Sequence, residues 1–261
     1  MAMHKDDNKE YHIQVAPGEV GRYVFLPGDP GRCEPIARFF DEPKLVAQNR
    51  EYETWTGYLD GEMVSVTSTG IGCPSAAIAM EELVKVGSDT FVRVGTSGSM
   101  QERIKPGDVG IIHGAIRDEG TTSHYLPIEF PAVADVDITR ALATGARTVG
   151  KTVHVGISQS KDSFYGQHEP GRMPVASRLE DRWAAWMAGG AICSEMEAAA
   201  LFIVASTLGV RAGGIMMILG HPDQSPMTAE ELEAGSVENL LPAAISGMRE
   251  LIRQDREAAS A

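Results

Sequence analysis

With 261 residues and 43% apolar side chains, the chain can bury the core of one large α/β domain or two small ones. A formal net charge of −13 excludes a nucleic-acid-binding face, which needs a basic surface, but leaves room for a small anion held by a few local arginines. Cys33, Cys73 and Cys193 form no C-x-x-C pair, so they suit a reducing compartment, and Cys73 in "GIGCPS" reads as a buried thiol and not a nucleophile.

The N-terminal stretch is polar and acidic, unlike a signal peptide, and no apolar run reaches the ~20 residues that span a bilayer. A cytoplasmic protein is the expectation. The first ordered signal is "YVFLPG", a buried strand over Tyr23–Gly28. "DPGRCEPIARFF" then reads as a helix, with Asp29 as N-cap and Pro30 at its first position. "MVSVTSTGIG" predicts a strand running into a glycine turn, and "PSAAIAMEELVKVG" a helix ending at Gly87. "TFVRVGTSG" predicts a strand that exits to a loop near its glycines. Further strands are expected over Gly107–Ile116 and Lys151–Ser160, with a helix in "ITRALATGARTVG" between them. "EMEAAALFIVASTLG" is an apolar helix and "VRAGGIMMILG" a late strand. A closing helix follows, interrupted around Pro242, and the tail "DREAAS" is expected to fray. Strands alternating with helices point to a single α/β domain over residues 1–261, with a mixed β-sheet flanked by helices.

Three strand exits, "LPGDPGR", "TSTGIGCPS" and "RVGTSGS", gather glycines, hydroxyls and arginines. Gly28, Arg32, Arg93 and Thr96 would together make a tetrahedral-anion pocket: arginine offers paired donors in a rigid fork, and hydroxyls fill the other directions. There is no G-x-x-x-x-G-K-[ST] loop, nor a G-x-G-x-x-G helix entry with a downstream acid, so triphosphate and dinucleotide sites are unsupported.

"PGDPGR", "NREYETWTGYLDG", "STGIGCPS", "RVGTSGS", "EFPAVAD" and "SEMEAAAL" occur in this order. Together they resemble the nucleoside phosphorylase family, its bacterial uridine phosphorylases most closely, from about His12 to about Gly220. The resemblance implies a phosphate site of Gly28, Arg32, Arg50, Arg93 and Thr96, with Arg50 reaching in from a neighbouring subunit. It implies a ribose site of Met196 and Glu197, joined by His12 across the same interface. Arg93, Thr96 and Glu197 would be the catalytic set. Ser97, Gly98, Phe164 and Gln167 would surround the base. Glu51, Ile71 and Ser75 match positions that hold a monovalent cation, such as K+, between subunits. The resemblance implies no other cofactor, inorganic phosphate being a co-substrate, and no nucleic-acid or membrane partner. It also implies a hexamer built as a trimer of dimers. From the residues alone, Glu195 is open between a first-turn acid that complements a helix and a functional group.

The chain departs from the family pattern in its base loop. "GQHEPGRMP" keeps Gln167, but Glu169 stands where an arginine is expected, and the nearest arginine is Arg172. A second arginine is replaced within "LGHPDQ", where His221 aligns best. His168, Arg172 or His221 would then meet the base carbonyls. The expected reaction is phosphate-dependent cleavage of uridine to uracil and ribose 1-phosphate. The alternatives are a purine nucleoside phosphorylase, a nucleosidase that uses water, and a non-catalytic nucleoside-binding protein on the same fold.

Overall fold

The computed structural model describes residues 8–260, so residues 1–7 of the polar N-terminal stretch lie outside it. The chain opens on β1 (Tyr23–Leu26) and α1 (Cys33–Ala37), followed by β2 (Asp41–Asn49), β3 (Tyr52–Leu59) and β4 (Glu62–Thr67). Next come α2 (Cys73–Lys85), β5 (Thr90–Ser99), β6 (Val109–Asp118), β7 (Ala132–Val133) and α3 (Val136–Thr148). β8 (Val153–Lys161), α4 (Phe164–His168), α5 (Ala176–Ala188), β9 (Cys193–Glu195) and α6 (Ala198–Leu208) continue the chain. β10 (Arg211–Ile218), α7 (Ala229–Ala234) and α8 (Leu241–Ser260) close it.

The sheet is mixed, as expected, but part of it closes on itself. β10, β6, β8, β9 and β5 pair in sequence, and β5 pairs β10 again, so five strands make a ring. β1, β4, β3 and β2 extend from β5 as an open wing. Strand alternation splits the core into two layers. On β1, Val24 and Leu26 face α2 and α6, whereas Tyr23 and Phe25 join the layer containing α1, α3 and α8. The apolar α6 is buried along most of its length, which explains why its pattern is nearly continuous and not one-sided.

Four expectations change. "RVGTSGS" does not leave the sheet: β5 runs through Ser99, with Thr96 and Ser97 paired to Met217 and Ile218, and Gly98 to Ser194. The glycines there suit close packing within a strand: a Cβ on Gly95 would sit 2.8 Å from Met216 Sδ and 3.1 Å from Arg93 Nη2. After Asp29, whose side chain accepts from Gly31 N at 2.9 Å, the chain makes one 3₁₀ turn before the short α1, not one continuous helix. Pro242 lies in the first turn of α8, where its missing N–H costs nothing, and the break falls before it. "DREAAS" continues α8 through Ser260.

Candidate active site

β5 carries Arg93 into the interior, where it is 5% exposed. Its Nε donates to Glu195 Oε2 at 3.1 Å, and its Nη2 is ion-paired with Glu197 Oε2. Burial works against the Arg93 charge, but Glu197 and Glu195 together raise its pKa above the ordinary arginine value. The third nitrogen, Nη1, is buried with no hydrogen-bond partner among the described residues. Such a donor is costly unless something arrives to accept from it.

Glu197 precedes α6 and is fixed from two sides. Its Oε1 accepts from Gly72 N at 2.6 Å, and its other oxygen faces Arg93. Gly72 has φ +94°, a left-handed value that lets the turn before α2 aim this N–H at the carboxylate. Burial pushes the Glu197 carboxyl up, and Arg93 pulls it back. Glu195, left open by the sequence, caps α6: its Oε2 accepts from Glu197 N and Ala198 N, each at 2.8 Å. Ser158 and Ser160 both donate to its other oxygen. One buried carboxylate therefore holds both the helix start and the Arg93 guanidinium.

Gly28 and Arg32 lie at the end of β1, beside the Gly70 turn: a Cβ on Gly28 would come 3.2 Å from Gly70 O. Burial lowers the pKa of Arg32, and the nearby Arg93 charge lowers it further, so two arginine cations share this corner. Thr96 is half-buried, and Ser97 is buried. Met196, between Glu195 and Glu197, is half-buried, and its carbonyl accepts from Cys73 Sγ at 3.2 Å. Burial pushes the Cys73 thiol well up and the Cys33 and Cys193 thiols to about 12, so none offers a thiolate at neutral pH.

His12, Arg50, Glu51, Ser75 and Ile71 form a second group. Glu51 Oε1 accepts from Ser75 Oγ at 2.9 Å; a hydrogen bond from its own backbone N–H, then the one from Ser75 and the nearby Arg50 charge, hold the Glu51 carboxyl below its usual range. His12 Nδ1 lies 2.6 Å from Glu82 Oε1, and His12 O accepts from Asn49 Nδ2 at 2.7 Å. Arg50 sits exposed at the β2–β3 turn, with φ 54° and no hydrogen bond or ion pair among the described residues. Ile71 is 79% exposed. Neither His12 nor Arg50 bonds to Arg93 or Glu197 of its own chain.

The base-loop residues divide. Gln167, on α4, lies 2.7 Å from Ser194 Oγ through its side-chain oxygen. Ser194 Oγ also lies 2.7 Å from the buried Lys161 Nζ and 2.6 Å from Gln159 Oε1. Gln159 in turn donates to Asp118 at 2.8 Å, and Asp118 pairs with Arg182 at 2.5 Å. Burial lowers the Lys161 pKa, offset by Glu195 and Glu197; burial raises the Asp118 carboxyl, offset by Gln159 and Arg182. A cavity of about 230 Å³ adjoins this network, lined by Gln159, Lys161, Gln167, Trp183, Trp186 and Gln224 among others. Phe164 is half-exposed, its ring 4.2 Å from that of His168. Arg172 joins none of this: it is exposed, pairs with Glu169 and lies over the Tyr165 ring. His221 faces α7, with Nε2 3.2 Å from Glu231 Oε1. The sequence reading passed over Lys161, Gln159 and Ser194; the one local signal was a lysine ending the apolar-flanked strand in "SQSK".

A ringed α/β sheet thus encloses a buried arginine, Arg93 on β5, held by the carboxylates of Glu195 and Glu197 at the start of α6. The Phosphorylase superfamily model matches residues 22–253, and the chain belongs to that family. It is 47% identical to a uridine phosphorylase of Treponema pallidum over 94% of this chain and 95% of that one. It is 45% identical to a uridine phosphorylase of Thermococcus kodakarensis, covering 83% and 79% of the two chains. A guanosine phosphorylase of Halorubrum lacusprofundi is 40% identical, over 82% and 84%. No helix among the described residues is long and apolar enough to cross a membrane.

Proposed function

We propose that the chain is a pentosyltransferase that cleaves uridine with inorganic phosphate, giving uracil and ribose 1-phosphate. The observation that carries this is the Arg93 fork: two nitrogens are held by Glu195 and Glu197, while buried Nη1 has no acceptor among the described residues. Phosphate supplies that acceptor. Glu197, already fixed by Gly72, accepts from the vicinal ribose hydroxyls, and Met196 packs beneath the sugar. As the C1′–N bond breaks, its electron pair leaves with the base and positive charge builds on the ribose. A phosphate oxygen then bonds to C1′. Arg93, Arg32, Gly28 and Thr96 orient this nucleophile, so positioning and fixed charges do most of the work. Gln167 meets the base, with Phe164, Ser97 and Gly98 around it.

Arg50, exposed and without an ion pair among the described residues, reaches the phosphate of a second copy, and His12 reaches its ribose. The enzyme is then at least a dimer, extending to a hexamer. Glu51 and Ser75, with the Ile71 backbone, offer the oxygen donors that a monovalent cation takes between copies. Buried, unpaired cysteines suit work in a reducing cytoplasm.

The guanosine-cleaving relative favours a second reading, a 6-oxopurine nucleoside as substrate. Ultraviolet-monitored cleavage of uridine and inosine, each with and without phosphate, separates the two. Uracil release only with phosphate supports the first reading. Hypoxanthine release alone replaces it with the second, and cleavage without phosphate makes the enzyme a hydrolase.

A further inference from the structure

The hydrogen bonds behind Gln167 do not balance as placed. Ser194 has one proton, yet its oxygen lies 2.6 Å from Gln159 Oε1 and 2.7 Å from Gln167 Oε1. Lys161 is a donor only and takes a lone pair of Ser194. Asp118, an ion-paired carboxylate, accepts only, which fixes the Gln159 amide with Nε2 towards Asp118 and Oε1 towards Ser194. β8 and β9 pair Gln159 directly with Ser194, so this contact belongs to the sheet register. The Ser194 proton therefore goes to Gln159. Two oxygens cannot meet at 2.7 Å without a proton between them. Turning the Gln167 amide over, at no cost in shape, places its N–H on the remaining Ser194 lone pair.

We propose that the buried network of Asp118, Gln159, Ser194 and Lys161 locks the Gln167 amide with its oxygen towards the base, so that the site selects bases carrying a ring N–H. This rests on the reading of Gln167 as the residue that meets the base. The substrate class is then the lactam bases, uracil and the 6-oxopurines, whose ring N–H donates to a fixed acceptor. Cytosine and adenine present a bare ring nitrogen there, and two facing acceptors repel. Lys161, Gln159 and Ser194 are positioning residues, since they act through Gln167. The network gives a physical reason why one loop could serve both uridine and guanosine while Glu169 and Arg172 point elsewhere.

The test is calorimetric binding of two pairs, uridine with cytidine and inosine with adenosine, to the full-length wild type and to Ser194→Ala and Gln159→Met. In the wild type, the lactam member of whichever pair binds should bind at least about a hundredfold more tightly, because a site built for a hydrogen bond rejects the analogue lacking it. Both variants release the amide to rotate, so the preference should fall to about tenfold or less while phosphate affinity is unchanged. Equal losses for both members of a pair would mean that the network only packs the site, and an unchanged preference would mean that it does not orient Gln167; either overturns the proposal. If inosine binds and uridine does not, the uridine reading fails while this one is judged on the purine pair. Binding of neither pair overturns both.

Discussion

Arg93 and Glu197 face each other as a buried ion pair, yet each keeps an edge for something else. Among the described residues Arg93 Nη1 has no partner, and Glu197 gives one oxygen to Gly72 N and turns the other to Arg93. Removing the cation would leave two buried carboxylates, Glu195 and Glu197, without it. Arg93→Ala is therefore expected to cost about 3–5 kcal/mol of stability as well as activity. The cleaner variant is Arg93→Lys, which keeps the charge and loses the fork. It should raise the phosphate KM at least about tenfold with a smaller change in nucleoside KM. Initial rates at varied phosphate, with a thermal melt of each variant, check both statements.

Glu197→Gln keeps an acceptor for Gly72 N but loses the charge that ribose hydroxyls and Arg93 meet. The expected loss in kcat/KM is about ten- to a hundredfold, the value of a hydrogen bond to a charged group. A 2′,3′-dideoxynucleoside should show a smaller loss, because only the effect that passes through Arg93 remains. Parallel kinetics with the two substrates read this directly.

Arg50 is exposed and has no ion pair among the described residues, so Arg50→Ala should leave the melting temperature unchanged while weakening phosphate binding. Mixing it with Arg93→Lys after dissociation and reassociation is the sharper experiment. If each site takes Arg93 from one copy and Arg50 from another, random reassortment rebuilds about a quarter of the sites. Recovery of activity on mixing is the expected result, and none would assign Arg50 to its own chain.

How much of this was legible in the sequence differs from residue to residue. Short apolar runs located β1, β5 and β10, and Gly28 and Arg93 stood in segments that gather glycines, hydroxyls and arginines; the role of Glu197 came with the family resemblance. Ring closure was not legible, because pairing between β5 and β10 is a property of neighbours in space. For the same reason Thr96 to Ser99 read as a loop: small polar residues and glycine resemble an exit until two flanking strands claim their backbone. The half-exposed, amphipathic α5 and the β2–β3 hairpin drew no assignment, and Ser194 drew no role of its own. Its role exists only once β8 lies alongside β9.

Asp255 shows how a distant pair answers to pH. Arg211 donates to both its oxygens, at 2.9 and 2.6 Å, and Tyr23 donates at 2.8 Å. The Arg211 hydrogen bonds lower its pKa below the ordinary 3.8. A carboxyl more acidic in the folded state binds fewer protons there, so its contribution is complete above the unfolded value and fades as pH falls through the folded one. Asp255→Asn should therefore cost about 1–2 kcal/mol at neutral pH and progressively less below about pH 4. Urea denaturation of both proteins across that range measures the convergence.

The Gly72–Glu197 bond joins positions 125 residues apart, and the Arg93–Glu195 bond spans 102. No single supersecondary unit carries the site. During synthesis the wing strands and β5 leave the ribosome long before β9, so Arg93 waits as an unmatched cation until more than a hundred further residues have emerged. Closing loops of that length is slow, which ties the birth of the site to long-range steps of folding and not to any local unit. Nascent chains ending after β5 would carry Gly28, Arg32, Arg93 and Thr96 without the two carboxylates that hold Arg93.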